Sequence, residues 1–159
     1  MLRDDGLGGS VDTVAASVTS ELKEYSYTGL TQLGNRYRFA VNASNTAGNS
    51  SSPYLSIILA AVPDRPSTGP ENGDEESLSN FAISIPALSA AQNGGAPIEA
   101  YEISVKLHSG WTVLMHSLAT SFSWKIGSTT NLSPGDYLPF RYRAKNVNGY
   151  SEYSPIVYL

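Results

Sequence analysis

The sequence predicts an all-β protein of antiparallel sandwiches arranged in tandem, the first of them incomplete. Three observations carry that prediction. The composition is aromatic and lightly charged, with ten tyrosines, four phenylalanines and two tryptophans against 15% charged residues, and rich in Ser, Thr, Gly and Pro, as turn-dense β proteins are. Apolar residues alternate with polar ones at period two, while helical periodicity is weak almost throughout. Finally, the stretch "FRYRAKNVNGYSEYSP" at 140–155 is echoed by "FAVNASNTAGNSSSP" at 39–53, with Ala144, Asn146 and Gly149 each 101 positions after Ala43, Asn45 and Gly48.

Taken in order, the C-terminal part shows the alternation best. Phe81, Ile83 and Ile85 form one stripe, Tyr101, Ile103, Val105 and Leu107 another. Trp111, Val113 and Met115 follow, then Phe122, Trp124 and Ile126, then Phe140, Tyr142 and Ala144, and "PIVYL" ends the run. The segments "QNGGAP", "LHSG", "NLSPGD" and "NVNG" between them carry turn chemistry. Short strands so punctuated, with no helix between, predict two sheets packed face to face. Between the halves, "AAVPDRPSTGPENGDEES" at 60–77 reads as a semi-rigid connector followed by a solvated acidic loop at Asp74, Glu75 and Glu76.

The residues Leu132-Ser-Pro-Gly-Asp-Tyr-Leu138, followed by "PFRYRAKNVNGYSEYSP", resemble the late strands of a fibronectin type III domain. So does "LTQLGNRYRFAVNASNTAG" at 30–48, with one extra residue before Tyr37, and "NGGAPIEAYEISVKL" is similar to that family's loop into strand C. The tone of "DDGLGG" and "YRAKNVNGYSEYS" is similar to repeats in large proteins of ciliate-type protists. The resemblance implies a complete domain over 63–159 and, over 1–62, the C-terminal half of one, with strands A, B and most of C absent. It also implies that Tyr37 is the family's tyrosine corner and that "DDGLGG" is the C–C′ turn, with C′ near Val11 to Val18 and strand E near Tyr25 and Tyr27. In the second domain Leu138 occupies the corner position, so the corner there is either lost or re-formed by Tyr137; Ile85 stands for the family's strand-B tryptophan, with Trp111 and Trp124 supplying core bulk. Gly48 and Gly149 suit a corner needing positive φ, and Asn45 and Asn146 suit side chains that bond local backbone.

Function classes are bounded more by what the sequence lacks. There is no cysteine, so thiol catalysis and Cys-held metals are excluded. His108 and His116 show no metal-binding spacing, and no nucleophile elbow, phosphate loop or dinucleotide fingerprint occurs. The reading is of a non-enzyme with no cofactor and no metal. A net charge of −4 gives no footprint for nucleic acid, and no stretch is long and apolar enough to insert in a bilayer. Partners are therefore other protein chains, including further copies or adjacent repeats.

Candidate sites follow from the pattern. Arg141, Arg143 and Lys145 make a basic stripe on one face of a strand, joined by Lys106 or Glu102: an interaction face, or simple cross-strand pairing. Asn42, Asn49 and Asn131 head N-glycosylation sequons, a number close enough to what the Asn, Ser and Thr content produces by chance that the count proves nothing. Tyr37, Phe39 and Val41 form a strand-completion surface, because half a sandwich exposes its inner face and an edge. The expected role is a structural or adhesive module of a larger extracellular or surface repeat protein. A filament subunit completed in trans by another chain and an intracellular cytoskeletal or ciliary scaffold are the alternatives.

Overall fold

The protein is described by a computed structural model covering residues 1–19, 21, 24–77, 80–125 and 136–159. It divides into two compact units, Met1–Ala61 and Val62–Leu159.

The second unit is a two-layer sandwich. One sheet holds β9 (Ala100–Leu107), β10 (Gly110–Ser117), β12 (Pro139–Asn146) and β13 (Gly149–Tyr150) in the order β10-β9-β12-β13, with β14 (Val157–Tyr158) also on β12. The other holds β7 (Glu71–Ser77), β8 (Asn80–Ser84) and β11 (Ser121–Lys125) in the order β11-β8-β7. Among the described residues one 3-10 turn, Ala90–Gln92, interrupts the strands. Strand β12 shows why this sequence folds so: its residues alternate strictly between half-buried and buried. Phe140, Tyr142 and Ala144 point inward at 0–1% exposure and meet Ile83, Ile85, Ile103 and Val105. Phe81 stacks on Phe140 at 5.7 Å, and Trp124 meets the same ring edge-on at 6.4 Å. Such a core of interlocked aliphatic and aromatic groups supplies the main stabilisation of a small sandwich.

Several expectations are corrected in this unit. The acidic residues 74–76 belong to strand β7 and not to a loop, because the segment pairs with β8 from Glu71↔Ser84 to Ser77↔Asn80. The stretch expected as a semi-rigid connector is folded onto the unit from residue 63. Pro63, Pro66 and Pro70 are buried, Arg65 Nε donates to the Tyr153 carbonyl at 2.8 Å, and Asp64 N donates to the Gln92 carbonyl. Tyr137 does not rebuild a tyrosine corner, being 75% exposed, while Leu138 packs against the core. Ile85 and Trp124 face the core as expected, but Trp111 does not.

The first unit has one main sheet, in the order β2-β1-β3-β6: β1 (Leu2–Arg3), β2 (Thr13–Val14), β3 (Arg36–Ala40) and β6 (Leu55–Ile58). A separate hairpin joins β4 (Asn42–Asn45) to β5 (Gly48–Ser51). The turn expected at "DDGLGG" links β1 to β2. It is built on Asp4, which is fully buried and whose carboxylate accepts from Gly6 N, Arg38 N and Arg38 Nε at 2.8–3.1 Å. Burial alone would raise the Asp4 pKa, but these hydrogen bonds from Arg38 and Gly6 outweigh it and hold the carboxyl below its ordinary value. Gly6, at φ +80°, lies on the Tyr37 ring so closely that a Cβ there would sit 2.6 Å from it. Residues 24–30 form no strand, contrary to the expectation of strand E at Tyr25 and Tyr27. Tyr27 instead covers Phe39 edge-on at 6.1 Å and receives the Arg3 guanidinium on its face at 5.5 Å.

The two units share the plan of their last hairpin. Asn45 faces Gly48 and Asn146 faces Gly149, at glycine φ values of 149° and 132°. Each asparagine caps its turn through Oδ1, accepting from Ala47 N and Gly48 N in one unit and Asn148 N in the other. Ser52 and Ser154 are equivalent: each hydroxyl accepts from a strand amide (Val41 N or Tyr142 N, 3.0 Å) and donates to the following proline carbonyl. Beyond them Phe39 pairs with Leu55 as Phe140 pairs with Val157.

Candidate interaction surfaces

The basic stripe is the most organised surface feature of the second unit. Arg141 and Arg143 project from the outer face of β12, since the inward positions are Phe140, Tyr142 and Ala144. From the end of β13 the chain returns as Tyr150-Ser-Glu-Tyr153-Ser154. Its serines turn to the backbone of β12, Ser151 Oγ accepting from Ala144 N and Ser154 Oγ from Tyr142 N, both at 3.0 Å. That leaves Tyr150 and Tyr153 over the arginines. Arg141 lies between Trp111 and Tyr153, with 3.9 and 3.6 Å from its guanidinium carbon to the ring centroids. Arg143 lies 3.8 Å from Tyr150 and 4.6 Å from Tyr153. The rungs therefore run Trp111, Arg141, Tyr153, Arg143, Tyr150, with Lys145 at 6.0 Å from the last ring, a set of cation–π contacts on a half-desolvated face.

Charge along this ladder is unevenly balanced. Arg143 makes a two-pronged bond to Glu102 at 2.9 and 3.1 Å, and Tyr153 donates its hydroxyl to the same carboxylate at 2.8 Å. Burial pushes the Glu102 pKa up, but the bonds from Arg143 and Tyr153 prevail and it lies below the ordinary value. Burial and the bond to Glu102 both raise Tyr153. Lys145 reaches Glu99 at 3.5 Å, an exposed pair of small energetic weight. Two of the three cations of the stripe thus have carboxylates within the chain, Arg143 through the cross-strand pairing with Glu102 weighed for it. The ladder's rings were not legible beforehand, because Trp111, Tyr150 and Tyr153 come from two separate segments. The signal that could have found them is the spacing of Tyr150 and Tyr153 around serines, beside alternating Arg141 and Arg143.

In the first unit the surface expected at Tyr37, Phe39 and Val41 is divided. Tyr37 is 3% exposed, closed off by the Gly6 turn, so it is not available to another strand. Phe39 is half-covered by Tyr27, and Val41 is 59% exposed. The sheet register adds Leu55 beside Phe39 and Ile57 beside Tyr37, at 64% and 40% exposure. Asn42 and Asn49 are exposed strand residues, each opposite a serine of the other's sequon in the pairs Asn42↔Ser51 and Ser44↔Asn49. Asn131 lies outside the described residues.

Solved structures similar to this chain are fibronectin type III domains. The crystal structure of titin domains A168-A170 matches over 78% of this chain and 40% of that one, with a TM-score of 0.56 and 23% identity. The crystal structure of chicken CNTN1 FN1-FN3 domains matches over 79% and 43%, with a TM-score of 0.52 and 19% identity. The fold is fibronectin type III-like. The chain spans about two-fifths of the length of these two relatives. No protein-family model matches it, and no curated protein does. Domains of this fold are generally non-catalytic, are common in structural and adhesive proteins and typically mediate protein–protein contacts. Among the described residues no helix is long and apolar enough to cross a membrane.

Proposed function

We propose that this chain is a non-enzymatic structural or adhesive segment of a larger extracellular or surface repeat protein, working through protein–protein contacts. Its first unit is the C-terminal half of a fibronectin type III-like domain. One observation carries this reading: equivalent positions have opposite surroundings in the two units. Phe140, Tyr142 and Ala144 are sealed under the sheet β11-β8-β7, whereas Phe39 is half-covered and Val41 and Ala43 face solvent. Among the described residues no second sheet covers them. An apolar sheet face of this kind gains about 25 cal/mol for each Å² removed from water, so it favours completion by further strands. Asn42 and Asn49 on the same hairpin are glycosylation sites in this reading.

Binding of an environment-sensitive apolar dye tests it on residues 1–159. The expected outcome is strong binding that falls when Leu55→Ser and Ile57→Ser are combined; a chain that binds no dye defeats the half-domain reading. The open face also favours a second reading, a filament subunit completed by another copy, and sedimentation separates the two. Mass that rises with concentration supports completion in trans, and a constant monomer with a folded first unit rejects it. Absence of glycans from the native protein at all three sequons favours the intracellular scaffold over a surface location.

A further inference from the structure

We infer that the Arg141 end of the ladder is a docking point for a short acidic peptide segment of a partner protein, an inference that rests on reading the chain as a protein-contact module. Four observations converge on it. Arg143 and Lys145 have carboxylates of their own, but Arg141 has none among the described residues. The register explains the difference: β9 places Glu102 opposite Arg143 and the buried Ser104 opposite Arg141. Lys106, two residues further along the same face and opposite Trp111, is exposed and has no carboxylate partner among the described residues either. One end of the stripe is therefore neutralised and the other keeps two cations, in a chain whose net charge is −4.

The rings make this more than residual charge. With Trp111 on one face and Tyr153 on the other, the Arg141 guanidinium is fixed in its plane, and its Nε is sealed without a partner. The terminal amines remain as the edge for a ligand. A held guanidinium loses little freedom on binding and matches the two oxygens of a carboxylate. Lys106 supplies a point charge for a second carboxylate. The negative overall charge disfavours a long polyanion, while a segment with two or three acidic side chains meets only the local field.

The test is a nitrogen-15 NMR titration of residues 1–159 with the capped peptide acetyl-Glu-Gly-Glu-amide, following Arg141 Nε–H and the Trp111 indole N–H. Both resonances are expected to shift saturably. Arg141→Lys keeps the charge but loses the plane, and is expected to weaken binding about tenfold. Lys106→Glu supplies an internal carboxylate, and is expected to abolish binding while leaving the unfolding midpoint unchanged. Shifts centred on Arg143 and Lys145, affinity unchanged in Arg141→Lys, or the absence of a saturable shift each overturn the assignment. Sodium sulfate or a heparin fragment reproducing the shifts at equal concentration overturns the peptide as ligand. None of these results touches the module reading, which stands or falls on dye binding and sedimentation.

Discussion

The last hairpins of the two units are built alike and buried differently. Both have an Asn-capped turn ending in glycine, a serine that bonds across to the paired strand, and a Phe–aliphatic pair beyond it. In the second unit the inward side chains are sealed by three further strands; in the first, Val41 and Leu55 stand in water. The comparison separates two causes that are usually confounded. Turn chemistry and side chain–backbone bonds shape the hairpin in either surrounding, because they are satisfied locally. Burial decides what a core substitution costs.

That separation is measurable, since both tryptophans, Trp111 and Trp124, lie in the second unit and tryptophan fluorescence reports its unfolding alone. The largest effect is expected from Phe140→Ala, which removes a fully buried ring and should cost the second unit about 4 kcal/mol. The equivalent Phe39→Ala should cost the first unit about 1 kcal/mol, because its ring is already half in water. Equal losses in denaturant titrations would erase the contrast.

Next in size is Asp4→Ala, which strands Arg38 and the Gly6 amide; about 3 kcal/mol is expected, confined to the first unit. Amide exchange at residues 36–40 should quicken while the tryptophan transition stays in place. In the second unit Glu102→Gln should cost about 2 kcal/mol by weakening the bonds from Arg143 and Tyr153. Glu102 also sets a pH dependence. Its folded pKa is lowered from 4.5, so its stabilisation is complete above that value and is lost as the pH falls through the lower folded value. Acid titration of the tryptophan transition should therefore flatten in Glu102→Gln. At alkaline pH the sign reverses for Tyr142, pushed up to about 12 by burial from 10.0: its contribution is complete below 10.0 and fades as the pH rises towards 12. The smallest effect is expected from Leu55→Ser, within roughly 0.5 kcal/mol of zero, as for an ordinary exposed position. A clear loss in thermal melts of the isolated chain would show that this face is covered in solution.

What could be seen in the sequence follows the same division. Strands β9 and β12 were legible because apolar and polar residues alternate strictly along both, although burial follows that alternation only on β12 and both faces of β9 are covered over most of its length. The capped turns were legible because Asn and Gly do the same local job twice. Strand β7 was not, since Asp74, Glu75 and Glu76 look like a loop until β8 is placed beside them. The family resemblance implied a strand near Tyr25 and Tyr27, but β propensity expresses itself only against a paired neighbour, and Tyr27 packs as a lid on Phe39 instead. The ladder needed tertiary placement: Arg141 and Arg143 were visible as a stripe, while the fold alone brought Trp111, Tyr150 and Tyr153 to them.

The segment from Tyr150 to Ser154 serves two faces of one strand. Its serines are fastened to the amides of Ala144 and Tyr142, and its tyrosines grip the side chains of Arg141 and Arg143. A slip of one residue along β12 would bring serine to guanidinium and tyrosine to backbone, losing both sets at once. The segment works as a key that fits in a single position, so a pull along the strand meets all these contacts together rather than one after another.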